Sequence, residues 1–270
     1  MLQPDVIRSQ NEFISFGKLL VTGRPGAELL DQDGIATYWG NSPAMFFNLL
    51  YLRDQVSDPV ELSRKLQNAS GYMRSKTQPG LFLVCDDYIN GTARAQFDAA
   101  LEQAGLTTLM ETFGMAGDLS SFGDYAAPTD TRFERVTGAE GLRQCADINS
   151  DAYSLPVEWM RDGLDKATHW NERAFCYVAY QNDKPVSTAS VVEEDGSLYV
   201  ALVATLPEAQ RRGLAEATMR EALKAAHDAT GCRQTSLHAT QAGYAVYERM
   251  GYRPVTRIVG YGPADAADAH

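Results

Sequence analysis

The feature that most constrains this chain is the stretch YVALVATLPEAQRRGLAEATM, Tyr199 to Met219. An apolar run broken by Pro207 passes through Gln210-Arg-Arg-Gly straight into a segment with Ala215, Met219, Ala222, Leu223 and Ala226 on one face at helical spacing. A strand that feeds a helix through so short a loop belongs to a layered strand-and-helix fold. The loop also carries chemistry. Free N–H groups at a helix start, with the positive end of the helix dipole behind them, form an anion site. A side chain at Gly213 would hold phosphate oxygens away from the backbone, and Arg211 and Arg212 add charge. Two readings follow: a pyrophosphate cradle, or a helix that begins with basic residues and a packing glycine. No Gly-Lys-Ser/Thr follows, which excludes a Walker loop, and a single glycine excludes the dinucleotide fingerprint.

The rest of the second half supplies the layers. Phe133 to Thr137 reads as a short strand, Ala139 to Asp151 and Pro156 to Leu164 as helices. Phe175 to Tyr180, Pro185 to Val192 and Leu198 to Thr205 read as strands joined by hairpin signals at Gln181-Asn-Asp-Lys and Glu194-Asp-Gly-Ser. A helix from Leu214 to His227, a strand from Thr235 to Ala239, a helix from Ala242 to Met250 and a strand from Tyr252 to Tyr261 complete the order. The first half gives a helix over Asn11 to Val21, strands over Gly34 to Trp39 and Phe46 to Leu52, and a helix from Asp58 to about Ser75 with proline at its first position. A strand over Leu81 to Cys85, a helix over Ala93 to Ala104 and a strand over Thr107 to Met115 follow. Gly117 to Asp130, rich in Gly, Ser, Ala and Asp, reads as a linker. At roughly 150 residues per domain, the 270 residues are expected to form two α/β (α+β) domains, 1–128 and 129–270.

Composition narrows the function classes. The net charge is −11 and the pI about 4.8, which argues against a sequence-independent grip on nucleic acid. Residues 1–130 hold 9 basic and 16 acidic side chains and residues 131–270 hold 15 and 19, so a site for a phosphorylated ligand fits the second half better. Cys85, Cys145, Cys176 and Cys232 show no C-x-x-C spacing and no histidine pair sits at ligand spacing, so neither a metal site nor a disulfide framework is expected. The longest apolar run, Leu198 to Ala204, is far short of a membrane span, and Met1 to Gln10 lacks signal-peptide character. A reduced, cytoplasmic protein is expected.

Gln210-Arg-Arg-Gly-Leu-Ala resembles the Q/R-x-x-G-x-G/A acetyl-coenzyme A motif of the GNAT superfamily of N-acetyltransferases, with V-x-x-x-P ahead of it at Val203 to Pro207. Tyr247-Glu-Arg-Met-Gly-Tyr resembles the family's Y-x-x-x-G-F/Y ending. The resemblance covers about Phe133 to Tyr261, and its element order is the one read above. It implies a mixed central sheet flanked by helices and transfer of an acetyl group from acetyl-coenzyme A to a primary amine by direct attack, with no metal. The pantetheine arm would meet Val203, Ala204 and Thr205; the pyrophosphate would meet the amides of Arg211, Arg212, Gly213, Leu214 and Ala215. The N–H near Val203 would polarise the thioester carbonyl.

Tyr247 matches the tyrosine that protonates the departing thiolate in relatives, a task that suits a neutral phenol; it also reads as an aromatic packed on its own helix. Tyr244 is the substitute. Thr240 and Gly243 depart from the Asn and Ala that many relatives carry, and Leu198 to Thr205 has no carboxylate to act as base. A water chain, His238 or an already deprotonated substrate remain as alternatives. Residues 1–128 lack a coenzyme A motif, yet their element order fits a degenerate copy of the same fold. Tyr38 and Trp39 there, with Tyr153 and Trp159 in the second half, are the expected acceptor-side residues, and an aromatic core is the other account of the first pair. The partner is expected to be a small-molecule or peptide amine, with neither nucleic acid nor membrane. The rival reading is a sensor or scaffold that binds acyl-coenzyme A without turnover.

Overall fold

The computed structural model describes residues 2–264. They divide into two compact units, Met1–Gly114 with Val255–His270, and Met115–Pro254. The expected boundary lay at residue 128; here the division falls earlier, and the last stretch of chain joins the first unit.

Unit 1 runs α1 (Pro4–Val21), β1 (Glu28–Gln32), β2 (Ile35–Trp39), β3 (Asn48–Leu52), α2 (Pro59–Arg74), β4 (Leu81–Cys85), α3 (Gly91–Gln103) and most of β5 (Leu106–Asp118). Asp33 and Gly34 both take positive φ, 58° and 70°, the two-residue turn that a right-twisted hairpin requires. This turn pairs β2 with β1, a strand the sequence reading missed. Strands β1 to β3 form an antiparallel meander, and β4 returns parallel to β3. Every residue of β4 is buried, as expected of a central strand covered on both faces.

Unit 2 runs β6 (Thr131–Arg135), α4 (Ala139–Tyr153), α5 (Val157–Asp165), α6 (Thr168–Arg173), β7 (Ala174–Gln181), β8 (Lys184–Glu194), β9 (Ser197–Thr205), α7 (Leu214–Thr230), β10 (Gln234–Ala239), α8 (Gln241–Met250) and the start of β11 (Arg253–Pro263). Helix α6 is an addition to the expected order. Strands β6 to β9 are antiparallel neighbours, and β10 lies parallel to β9. The turns Asn182-Asp183 and Asp195-Gly196 have positive φ throughout, matching the two hairpin signals. Val186–Val192 of β8 are all buried, and both α4 and α7 pack against that strand.

The placement of the last strand is the main departure from a simple two-domain reading. Strand β11 lies beside β4 in unit 1, in antiparallel register Ile258 with Cys85 to Tyr261 with Phe82. The last residues of β5, from Met115 on, belong to unit 2. The expected linker from Gly117 is accordingly strand as far as Asp118, and residues 122–130 are irregular. No helix among the described residues is long and apolar enough to cross a membrane.

Candidate functional site

The site is built where β9 and β10 part. They are in parallel register only from Leu198 with Thr235 to Val200 with Leu237. Beyond that point β9 bulges: Ser190 of β8 faces Ala201 and Thr188 faces Ala204, so two steps on β8 match three on β9. Leu202 adopts φ 52°, a left-handed conformation costing of order 1–3 kcal/mol in a non-glycine residue. Strain of this size persists only where the surroundings impose it. A cleft of about 500 Å³ opens here, lined by Val203, Ala204, Thr205, Arg211, Gly213 and Tyr247 among others.

The floor continues into the start of α7. Arg211 and Gly213 both have positive φ, 60° and 78°, with Arg212 between them outside that region. Alternation of this kind turns successive N–H groups into one concavity, an anion nest. Gly213 caps the helix without any side-chain hydrogen bond. The first helical bond is Ala217 N–H to the Gly213 carbonyl at 3.0 Å, so the Leu214, Ala215 and Glu216 amides precede the intrahelical ladder. Leu214 anchors the turn, packed with Ala179, Val186 and Ala209. The uncapped N–H groups at the helix start and the end of β9 thus line the same cleft.

One carboxylate lines this cleft, Glu216, and it is clamped. Arg220 reaches it at 3.0 Å and Arg249 at 3.1 Å. The pair of guanidinium groups offsets a negative charge that would otherwise oppose an anion at the same helix end.

Two tyrosines face the cleft opposite the bulge. Tyr153, the last residue of α4, is 49% exposed and donates its hydroxyl to the Val203 carbonyl at 3.3 Å. Tyr247 on α8 makes no hydrogen bond through its hydroxyl among the described residues, and packs edge-on to Tyr252 with ring centroids 6.2 Å apart. Burial holds the Tyr247 phenol well above its ordinary pKa, with the neighbouring Tyr153 adding to the effect; Tyr153, half exposed over its whole side chain, has its hydroxyl end desolvated in the cleft and is raised as well. Both are neutral donors at physiological pH. Gly243 is the reason the Tyr247 ring lies back along α8: a Cβ at 243 would stand 2.9 Å from Cε2 of that ring. Thr240 caps α8 through the Gly243 N–H. His238 shares a 3.0 Å hydrogen bond between Nδ1 and the Tyr199 hydroxyl, and burial lowers its pKa to about 3.

The sequence-derived candidates separate cleanly. Val203, Ala204, Thr205, Arg211, Gly213, Leu214, Ala215, Tyr153 and Tyr247 line one cleft, whereas Arg212 and Trp159 are not among its lining. Tyr38 and Trp39 are 4% and 1% exposed in the core of unit 1, where Trp39 packs edge-on to Tyr72; they stand as core aromatics. Glu216, Arg249 and Tyr125 carried no sequence signal that reached the site. The first two sit on the outer turns of recognised helices, and Tyr125 falls in the expected linker.

A model described as the Acetyltransferase (GNAT) family matches residues 142–252. Among solved structures, a GCN5-related N-acetyltransferase from Kribbella flavida superposes with TM-score 0.70 at 17% identity, over 94% of this chain and 95% of that one. A GCN5-related N-acetyltransferase from Sphaerobacter thermophilus gives TM-score 0.58 at 15% identity over 84% and 76%. A tandem GNAT protein from the clavulanic acid biosynthesis pathway gives 0.58 at 11% over 93% and 94%. At these identities the likeness is one of fold. Comparison with curated proteins found no match.

Proposed function

Starting from the premise that residues 142–252 form a GNAT-family acetyltransferase domain, we propose that the protein transfers an acetyl group from acetyl-coenzyme A to a primary amine. The observation that carries this reading is the uncapped start of α7, with Arg211 and Gly213 in left-handed geometry, placed where β9 and β10 part. The pyrophosphate is held by the Arg211 to Ala215 amides, and the pantetheine arm runs along Val203 to Thr205. The bulge at Leu202 and Val203 takes a peptide unit out of the β8 ladder, which makes its N–H the donor to the thioester oxygen as negative charge develops there.

The amine nitrogen attacks the thioester carbon, the C–S bond breaks, the departing thiolate takes a proton from the Tyr247 hydroxyl, and the proton shed by the nitrogen passes through solvent to restore the Tyr247 phenol. That hydroxyl is neutral and has no partner among the described residues that would compete for its proton. An imidazole with a pKa near 3 is a weak base, so His238 is assigned no proton transfer and the amine reaches the cleft uncharged. A second reading, a sensor that binds acyl-coenzyme A without turnover, is favoured by one observation: Glu216, which lines the cleft, is held by two arginines and is unsuited to act as a base.

Calorimetric titration with acetyl-coenzyme A, run beside Gly213→Glu, tests the reading. One-to-one binding that the variant abolishes supports it and justifies an amine screen with detection of released thiol; absence of binding to the wild type overturns it. Turnover with any amine removes the sensor reading.

A further inference from the structure

The geometry points to Tyr125, in the irregular segment between β5 and β6, as a positioning residue for the anion cradle at the start of α7. This rests on the reading that the cradle takes the coenzyme pyrophosphate. The Tyr125 hydroxyl donates to the Gly213 carbonyl at 2.8 Å, the oxygen that also accepts the Ala217 N–H at 3.0 Å. The peptide bond is planar, so fixing the Gly213 carbonyl fixes the Leu214 N–H on the opposite side of the same plane. That N–H is the first helical amide of the cradle. Glycine leaves φ 78° at little steric cost; a second donor on its carbonyl opposes that movement. The hydroxyl also stands 3.0 Å from the place a Cβ at residue 213 would occupy, so a side chain on residue 213 would crowd it.

Tyr125 is itself held from the same helix. The Arg220 guanidinium lies 4.9 Å from the centre of its ring and 5.8 Å from that of Phe122. Arg220 also donates to the Gly123 carbonyl at 3.1 Å and pairs with Glu216. The segment is thus strapped to the first two turns of α7, and among the described residues its one hydrogen bond to the backbone of the cradle comes from Tyr125.

Tyr125→Phe in the full chain keeps the ring over Arg220 and removes only the hydroxyl. Wild type and variant would be titrated calorimetrically with acetyl-coenzyme A and with adenosine 3′-phosphate 5′-diphosphate, which carries the pyrophosphate without the pantetheine arm. Both dissociation constants are expected to rise by the same factor, about three- to tenfold, the size of one net hydrogen bond, while the ligand-free variant still melts cooperatively, lowered by no more than that one bond is worth. A variant that binds both ligands as wild type overturns the inference and leaves the coenzyme reading standing. Weakened acetyl-coenzyme A with unaltered nucleotide binding moves the effect to the arm and also overturns it. A wild type that binds neither ligand overturns the coenzyme reading first. Gly213→Ala supplies an independent check: it should cost less affinity in the Tyr125→Phe background than in wild type, because the hydroxyl facing the new methyl is gone, and additive losses count against the contact.

Discussion

Two stretches of the chain, β1 to β5 and β7 to β11, repeat one succession: a three-strand antiparallel meander, a helix, a strand parallel to the last of the three, another helix and a final strand. The instructive contrast is between the starts of α2 and α7, which hold the same place in that succession. At α2 the Asp58 carboxylate accepts from the Val60 and Glu61 N–H groups, both at 2.9 Å, and Pro59 has no N–H to give. At α7 no side chain caps and the first residue, Leu214, keeps its amide. Strand β3 keeps unbroken register with β2, and beyond it Val56 and Ile89 form a further parallel bridge that draws the chain after β3 to the chain after β4. Strand β9 bulges, and its pairing with β10 ends at Val200. One scaffold therefore builds a self-satisfied helix start in unit 1 and an open one in unit 2, and the open one results from leaving partners out.

The contrast can be broken by closing the open end. Gly213→Glu places a carboxylate where α2 carries Asp58 and strains a position at φ 78°; acetyl-coenzyme A affinity should fall by about a hundredfold or more, read by calorimetry, and retained affinity would refute the cradle. Tyr247→Phe tests what the opening serves. Thiol release with an amine found by screening should drop about a hundredfold, within the range of a lost general acid, with acetyl-coenzyme A affinity preserved. Asp58→Ala strips the closed end of its cap. It should cost about 1 kcal/mol of stability, read as a lower denaturant midpoint, and the acetyl-coenzyme A stoichiometry should stay at one because the bridge at Val56 remains; a second equivalent bound would show that the cap alone closes unit 1.

The last contrast is acid sensitivity. Residues 1–114 contain no histidine, whereas His238 in unit 2 has its pKa lowered from 6.5 to about 3 by burial. Below pH 6.5 the unfolded chain takes up a proton that the folded one refuses, so this histidine's contribution to stability is complete above that pH and is lost as pH falls toward 3. His238→Gln should flatten the decline in melting temperature between pH 6.5 and 4.5, above the range where most carboxylates titrate. An unchanged slope would remove His238 as its cause.

Legibility followed locality. The turns at Asn182-Asp183 and Asp195-Gly196, the proline at the first position of α2 and the glycine before α7 act on their immediate neighbours, so each was readable in place. Strand β1 was missed because four of its five residues are exposed and show no alternation; the Asp33-Gly34 turn was the available signal. Helix α1 begins at Pro4 rather than near Asn11, its first turns being polar in composition. The residues that line the cleft were legible because a strand, a breaker and a basic glycine turn sit in one stretch, while Tyr38 and Trp39 misled because aromatics in a strand look alike whether they line a site or fill a core.

By itself the sequence determined most of the order of elements, the glycine turn before α7 and the tyrosine near it, since each rests on backbone preferences and contacts a few residues long. Tertiary structure alone decided that β11 would lie beside β4, that Tyr153 would bond a carbonyl 50 positions away and Tyr125 one 88 positions away. Those pairings are selected by burial and hydrogen-bond satisfaction between surfaces that exist only once the elements have packed, and such surfaces leave no periodicity in the chain.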